Sequence, residues 1–265
     1  MKSDTQAPFT RHHAVVTGGG RGIGAAISEA LARQGASISL IGRHAQALEA
    51  AANRIAASHG VRTATATADV ADDAAVRKAL SNITGALGAP TILVNNAGIA
   101  VSAPFLKSDA VFWRKVLDVD LMGTVHCTQA VLPAMIEAKW GRIVNIASTA
   151  GVTGSAYITA YCAAKHAVVG FTRALAMETV RTGITVNAVC PGYTETDMTR
   201  ENIAQITQKT GRSREDVLTS LVGTNPQGRL IQPQEIADAV VWLCQESAAS
   251  VTGQCIVIAG GAVMP

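Results

Sequence analysis

Aromatic side chains make up only 4% of the 265 residues and charged ones 15%, against 48% hydrophobic. That balance excludes a disordered chain, which stays unfolded through low hydrophobicity and high net charge. Basic runs are missing as well. The net charge of +3 is spread over scattered lysines and arginines, so neither nucleic acid nor an anionic membrane is implied as a partner. The five cysteines, Cys127, Cys162, Cys190, Cys244 and Cys255, include no CxxC pair, and no histidine stands at metal-ligand spacing. No disulfide framework and no metal are expected, and the isolated thiols read as buried in a reducing compartment. No run of about 18 apolar residues occurs, and MKSDTQAPFTRHH lacks a signal-peptide core, so a cytoplasmic protein is expected. Repeats, low-complexity tracts and Pro/Gly-rich linkers are also absent. One domain over residues 1–265 follows, long enough to bury a sizeable core.

What the chain does have is alternation. Seven short β-branched runs, HAVVT (13–17), ASISLI (36–41), VRTATATADV (61–70), TILVNN (91–96), GRIVNIAS (141–148), GITVNAVC (183–190) and QCIVIAG (254–260), have helical patterns in their first six gaps. Runs that are apolar throughout, joined by helix-length connections, predict a parallel sheet covered on both faces. The expected fold is α/β, a Rossmann-like, doubly wound, seven-stranded sheet. One irregular insertion, residues 196–230, leaves the end of the sixth strand before the helix of PQEIADAVVWLCQE. Ligands in such sheets sit beyond the carboxyl ends of the strands, so this insertion is read as a helical lid for the substrate, the alternative being a surface excursion without a role.

HAVVTGGGRGIGAAISEALARQGA reads as strand, glycine turn and amphipathic helix, with glycines at Gly18, Gly22 and Gly24. Glycine permits positive φ, and backbone N–H groups at a helix start attract a pyrophosphate. In dinucleotide sites a carboxylate about 20 residues further on holds the ribose 2′-OH of NAD. Here Gly42 and Arg43 occupy that place. With no acid to repel a 2′-phosphate, and with Arg43 and Arg21 available to clamp one, NADP is expected over NAD, the alternative being a solvated loop arginine.

A third stretch, STAGVTGSAYITAYCAAKH (148–166), places Tyr161 four residues before Lys165, on one helix face and within roughly 6 Å. Tyr157 lies eight before the lysine, with Tyr161 as its own i+4 neighbour. A phenol beside an ammonium is a candidate acid/base, although an isolated YxxxK is ordinarily an amphipathic tyrosine and a solvated lysine. Tyr157 is expected either to line the substrate pocket or to cover the helix start.

Taken in order, TGGGRGIG (17–24), Asp69, NNAG (95–98), Ser148, Tyr161-Cys-Ala-Ala-Lys165 and PGYTET (191–196) resemble the short-chain dehydrogenase/reductase family over nearly the whole chain. Within it, GRIVNIASTAG and AAKHAVVGFTRALAMET are similar to ketoreductases of β-keto thioesters. The resemblance implies that Tyr161 exchanges a proton with the substrate oxygen, that Ser148 hydrogen-bonds that oxygen, and that Lys165 binds the nicotinamide ribose while acidifying the phenol. It assigns the cofactor to Gly18, Arg21, Gly22, Ile23, Gly24, Arg43, Asp69, Val70, Asn96, Ala97, Gly98, Tyr161, Lys165, Pro191, Gly192, Thr194 and Thr196. Asp69 is alternatively a helix N-cap, and Asn95 and Asn96 are alternatively turn residues. One departure stands out: Asp120 in KVLDVDLMGT replaces the family's asparagine, and a carboxylate cannot donate as an amide does. Asp120 is retained as a candidate catalytic residue.

The resemblance implies NAD(P)(H)-dependent interconversion of a ketone and a secondary alcohol, with a 3-oxoacyl thioester as favoured substrate. The alternatives are an NAD-linked dehydrogenase of a hydroxyacyl-CoA, steroid or sugar alcohol, and a nucleotide-binding subunit without catalysis. It further implies a homotetramer or homodimer built on the long fourth and fifth helices and the C-terminal segment. Charges in the insertion nearly balance, so they read as solvated rather than as a phosphate site.

Overall fold

The computed structural model describes residues 7–264; residues 1–6 and Pro265 of the expected domain lie outside the described residues. Seven parallel strands run in the order β3-β2-β1-β4-β5-β6-β7. They are β1 (His13–Thr17), β2 (Ser37–Gly42), β3 (Thr63–Thr67), β4 (Ile92–Asn95), β5 (Gly141–Ile146), β6 (Ile184–Pro191) and β7 (Cys255–Ile258). Every residue of β1, β4, β5 and β6 is buried, as a sheet covered on both faces requires. Side chains of a strand alternate between faces, and β1 shows it: Ala14 and Val16 enter one core, Val15 the other.

The first core packs against α1 (Gly22–Arg33), α2 (Ala45–His59) and α9 (Pro233–Cys244), through Ile27, Leu31, Ile55, Ile236 and Val240. The second packs against α3 (Asp73–Leu87), α5 (Gly123–Ala138) and α6 (Thr159–Thr179), through Val76, Leu80, Val131, Met135 and Leu175. Between β4 and α5 lies α4 (Ala110–Leu117), which runs on through a π-helical turn, Asp118–Met122. Such a turn rotates the side chains that follow, and here it leaves Asp120 buried while Asp118 is exposed.

β3 ends at Thr67, short of the expected span, because Asp69 accepts the N–H of Ala71 (3.1 Å) and turns the chain. Asp72, not Asp69, caps α3, accepting from Ala75 N (3.0 Å). Residues 196–230 carry α7 (Asp197–Thr210) and α8 (Arg214–Val222), capped by Thr196 and Ser213. All five cysteines are free; Cys127, Cys190 and Cys244 are buried, with thiols pushed up to about 12 by burial, whereas Cys162 and Cys255 are only partly covered. Among the described residues no helix is long and apolar enough to cross a membrane.

At the opposite end of the sheet from the site, His13 is buried between the Gly88 carbonyl (Nδ1, 2.8 Å) and the Ser39 hydroxyl (Nε2, 2.7 Å). A carbonyl only accepts, so Nδ1 carries the proton and Nε2 accepts from Ser39. Burial holds the His13 pKa below its ordinary value, against the Gly88 hydrogen bond, and His12 is shifted the same way. The unfolded chain therefore binds more protons below about pH 6.5, and the histidine's contribution is present above that pH and lost as pH falls through it. Thermal unfolding scanned from pH 7.5 to pH 5 should show a falling midpoint, and His13→Asn should be less stable at pH 7.5 but lose less on acidification. Parallel pH slopes for the two proteins would contradict this.

Candidate active site

The carboxyl ends of the strands open into a cavity of about 550 Å³. It lies at the switch point, where β1 is flanked by β2 on one side and β4 on the other. The glycine turn forms one end, with Gly18 at φ +65 and Gly22 at φ +55. At Gly24 a β-carbon would run into the Gly18 carbonyl and the Asn96 amide, so no larger residue fits. The N-cap residue of α1, Arg21, makes no side-chain cap, which leaves the first amides of the helix for an anion. This closely approached, uncapped turn fits a dinucleotide pyrophosphate. Gly18, Arg21, Gly22, Ile23, Arg43, Asp69, Val70, Asn96, Ala97, Gly98, Pro191, Gly192, Thr194 and Thr196 all line the same cavity.

The strand ends are tied together by hydrogen bonds. Thr17 Oγ1 accepts the N–H groups of Asn96 (3.0 Å) and Ala97 (2.9 Å), and Asn96 Nδ2 donates to the Thr17 carbonyl (2.9 Å). Asn95 is a strand residue and not a turn residue: its amide donates to Asn145 Oδ1 on β5 (2.9 Å) and to Thr128 Oγ1 on α5 (3.1 Å). Thr17 opens the TGGGRGIG motif, but nothing in the sequence alone marks its hydroxyl as the tie between the two strand ends. Met198, Asn202, Gln205 and Ile206 of α7 also line the cavity, and their spacing of three to four was the available signal. The Arg21 guanidinium pairs with Glu201 of α7 (3.3 Å), both side chains being exposed. Arg43 is exposed at the cavity rim and has no ion-pair partner among the described residues.

Ser148, Tyr161 and Lys165 meet on one wall. Ser148 follows β5, where its Oγ accepts from Ala150 N (3.1 Å) to start a short 3-10 turn. Lys165 is buried, donates Nζ–H to the Ile146 carbonyl (3.0 Å) and lies 3.4 Å from Asp120 Oδ1. Its Nζ stands 5.6 Å from the centre of the Tyr161 ring. Burial would lower the lysine pKa, but Asp120 and then Tyr161 outweigh it, so the ammonium is held above its ordinary value. Tyr161 behaves differently from expectation. Lys165 acts in the acidifying direction, as does the Ser148 hydroxyl, yet burial, aided by Asp120, keeps the phenol above its ordinary value in the protein alone.

Tyr157 does not line the cavity. Helix α6 starts at Thr159, and Tyr157 precedes it in the left-handed region (φ +67), 67% exposed and outside the cavity lining. Its carbonyl instead accepts from Ala103 N (2.9 Å), joining the loop after β4 to the helix start.

A parallel sheet with a glycine turn at its switch point, and a serine, tyrosine and lysine on the facing wall, define a nucleotide-dependent oxidoreductase. The short chain dehydrogenase family model matches residues 12–207, and the chain belongs to that family of NAD(P)(H)-dependent oxidoreductases. It is 41% identical to a 3-oxoacyl-[acyl-carrier-protein] reductase FabG of Pseudomonas aeruginosa, over 95% of this chain and 97% of the relative. To the protein of the same name from Aquifex aeolicus it is 38% identical, over 93% and 95%. Among solved structures, a variant of the actinorhodin polyketide ketoreductase with NADPH superposes with a TM-score of 0.91 at 36% identity, covering 95% of this chain and 97% of that one.

Proposed function

We propose that the protein reduces a 3-oxoacyl thioester, carried by coenzyme A or a carrier protein, to the 3-hydroxy compound with NADPH. The observation that carries this reading is the convergence of Ser148, Tyr161 and Lys165 on one wall of the cavity that the glycine turn closes at its other end. When bound, the nicotinamide supplies the hydride. Tyr161 gives its Oη proton to the substrate oxygen as charge develops there, and Ser148 hydrogen-bonds the same oxygen. Lys165, fixed by the Ile146 carbonyl, binds the nicotinamide ribose and stabilises the phenolate left behind.

Gly18, Gly22 and Ile23 hold the pyrophosphate, with Gly24 packed against Gly18 and Asn96 rather than lining the cavity; Arg43 and Arg21 hold the 2′-phosphate, and Asp69 and Val70 the adenine. Asn96, Ala97 and Gly98 border the cofactor, while Pro191, Gly192, Thr194 and Thr196 hold the nicotinamide carboxamide. The lid is residues 196–230. Thr149, Thr153, Ser155, Asn202, Gln205, Ile206 and Leu221 line the cavity towards it, and apart from the internally paired Lys165 that part carries no cation. A substrate that is neutral around its carbonyl suits such a wall better than a free keto acid does. The similarity to two 3-oxoacyl-[acyl-carrier-protein] reductases supports the thioester. For assembly as a homotetramer or homodimer, Ile136 on α5, Met177 on α6 and Trp242 on α9 are exposed apolar side chains.

The test is a substrate panel of 3-oxoacyl thioesters, cyclic ketones and free 3-oxo acids with each reduced cofactor. Thioesters with NADPH should give the highest kcat/KM; turnover confined to free acids or to NADH would reject the reading.

A further inference from the structure

Asp120 is a costly side chain to bury. It is completely buried, and burying a carboxylate is expensive unless charge and hydrogen bonds compensate it. One oxygen is well served: Oδ1 accepts the Ile99 N–H (3.1 Å) and lies 3.4 Å from Lys165 Nζ. The other, Oδ2, has no hydrogen-bond partner among the described residues. Compensation therefore falls on the one ammonium within reach. Asp120 reaches it because the π-helical turn after α4 points its side chain inward, and because Gly98 has no β-carbon to occupy the space at Oδ1.

Other ionisable groups around the carboxylate are few. From α6 it faces Lys165 and Tyr161, with Cys162 beside the tyrosine, and from β6 Cys190 lies near the same lysine. On its own turn Asp118 is exposed, as are Arg114 and Lys115 of α4. Lys165 is thus shared between a carboxylate on one side and a phenol on the other.

The geometry points to Asp120 as a positioning residue that, as an ionised counter-ion to Lys165, limits how far the lysine acidifies Tyr161. This rests on the proposed acid/base role of Tyr161 and deepens it. A phenol kept protonated to higher pH is a proton donor over a wide range, which suits ketone reduction and disfavours alcohol oxidation near neutrality. Burial raises the Asp120 pKa while Lys165 and the Ile99 amide oppose that rise, and Asp120 in turn acts to raise that of Tyr161.

The test compares wild type with Asp120→Asn, which keeps the shape and an oxygen to accept from Ile99. The pH midpoint of kcat for oxidation of a 3-hydroxyacyl thioester should move to lower pH, and on the acid limb the rate should rise roughly tenfold, as removing a nearby like charge implies. Ultraviolet titration of tyrosinate, with Tyr161→Phe as the blank, needs no substrate and should show the same displacement. If no carbonyl or alcohol is turned over, the oxidoreductase reading fails while this titration still reports on Asp120. Superposable titrations for wild type and D120N, or a midpoint moved upward, would overturn the proposal, because a carboxyl that is already neutral would not change the charge on substitution.

Discussion

Tyr161→Phe should lower kcat by about 100-fold to 10,000-fold, the range that a positioned proton donor supplies, and leave cofactor affinity nearly unchanged. The ring itself is structural. It packs with the buried Val116, Ala160 and Ala164, and phenylalanine preserves those contacts. Phenylalanine also preserves a ring face 5.6 Å from Lys165 Nζ, so the lysine keeps its neighbour as well as its hydrogen bond to Ile146. What disappears is one O–H. Transfer of hydride to a carbonyl without a proton donor leaves an alkoxide that the Ser148 hydroxyl, still free to donate while accepting from Ala150 N, hydrogen-bonds but does not neutralise. Kinetics with the preferred ketone, together with a titration of NADPH fluorescence, separate the two effects. A variant that keeps most of its rate would remove Tyr161 from the chemistry, and one that loses cofactor binding would show that the phenol is a cofactor contact first.

The sheet was legible because its strands are apolar on both faces and its connections are helix-length, a pattern that few other folds share. All seven strands occur where the apolar runs stand, and the shortened end of β3 is a side-chain effect: Asp69 takes the Ala71 amide out of the ladder direction. The Tyr161–Lys165 pairing was legible for the same kind of reason, since a spacing of four on a helix fixes proximity. Tyr157 was not, because the helix begins only at Thr159 and a positive φ two residues earlier has no periodic signature. Nor could spacing reveal the balance of forces on the Tyr161 proton. That balance depends on how deeply the phenol is buried and on Asp120, 41 positions earlier in the chain, arriving through a π-helical turn at the same lysine. The pairing of Arg21 was equally invisible, because nothing in the glycine motif indicates that Glu201 of α7 takes up its guanidinium.

Arg43→Asp should turn the proposed preference for NADPH into one for NADH. At the end of β2 the chain has Gly42, then Arg43 and His44, all lining the cavity, and no carboxylate to hold a ribose 2′-OH. A charge-assisted hydrogen bond is worth about 1.5–3 kcal/mol, so loss of the arginine alone should cost NADPH roughly 10-fold to 100-fold in kcat/KM. The aspartate adds repulsion of the 2′-phosphate and an acceptor for the 2′-OH, so the ratio of the two cofactors should move further than in Arg43→Ala. Arg21 does not weaken this expectation. Its pair with Glu201 has both side chains more than half exposed, and surface pairs of that kind hold by about 1 kcal/mol or less, so the guanidinium can swing to a phosphate at small cost. Steady-state kcat/KM for NADPH and NADH in wild type, Arg43→Ala and Arg43→Asp decides the matter. An unchanged ratio in both variants would leave Arg43 a solvated loop residue and would move selection of the cofactor to Arg21 or His44.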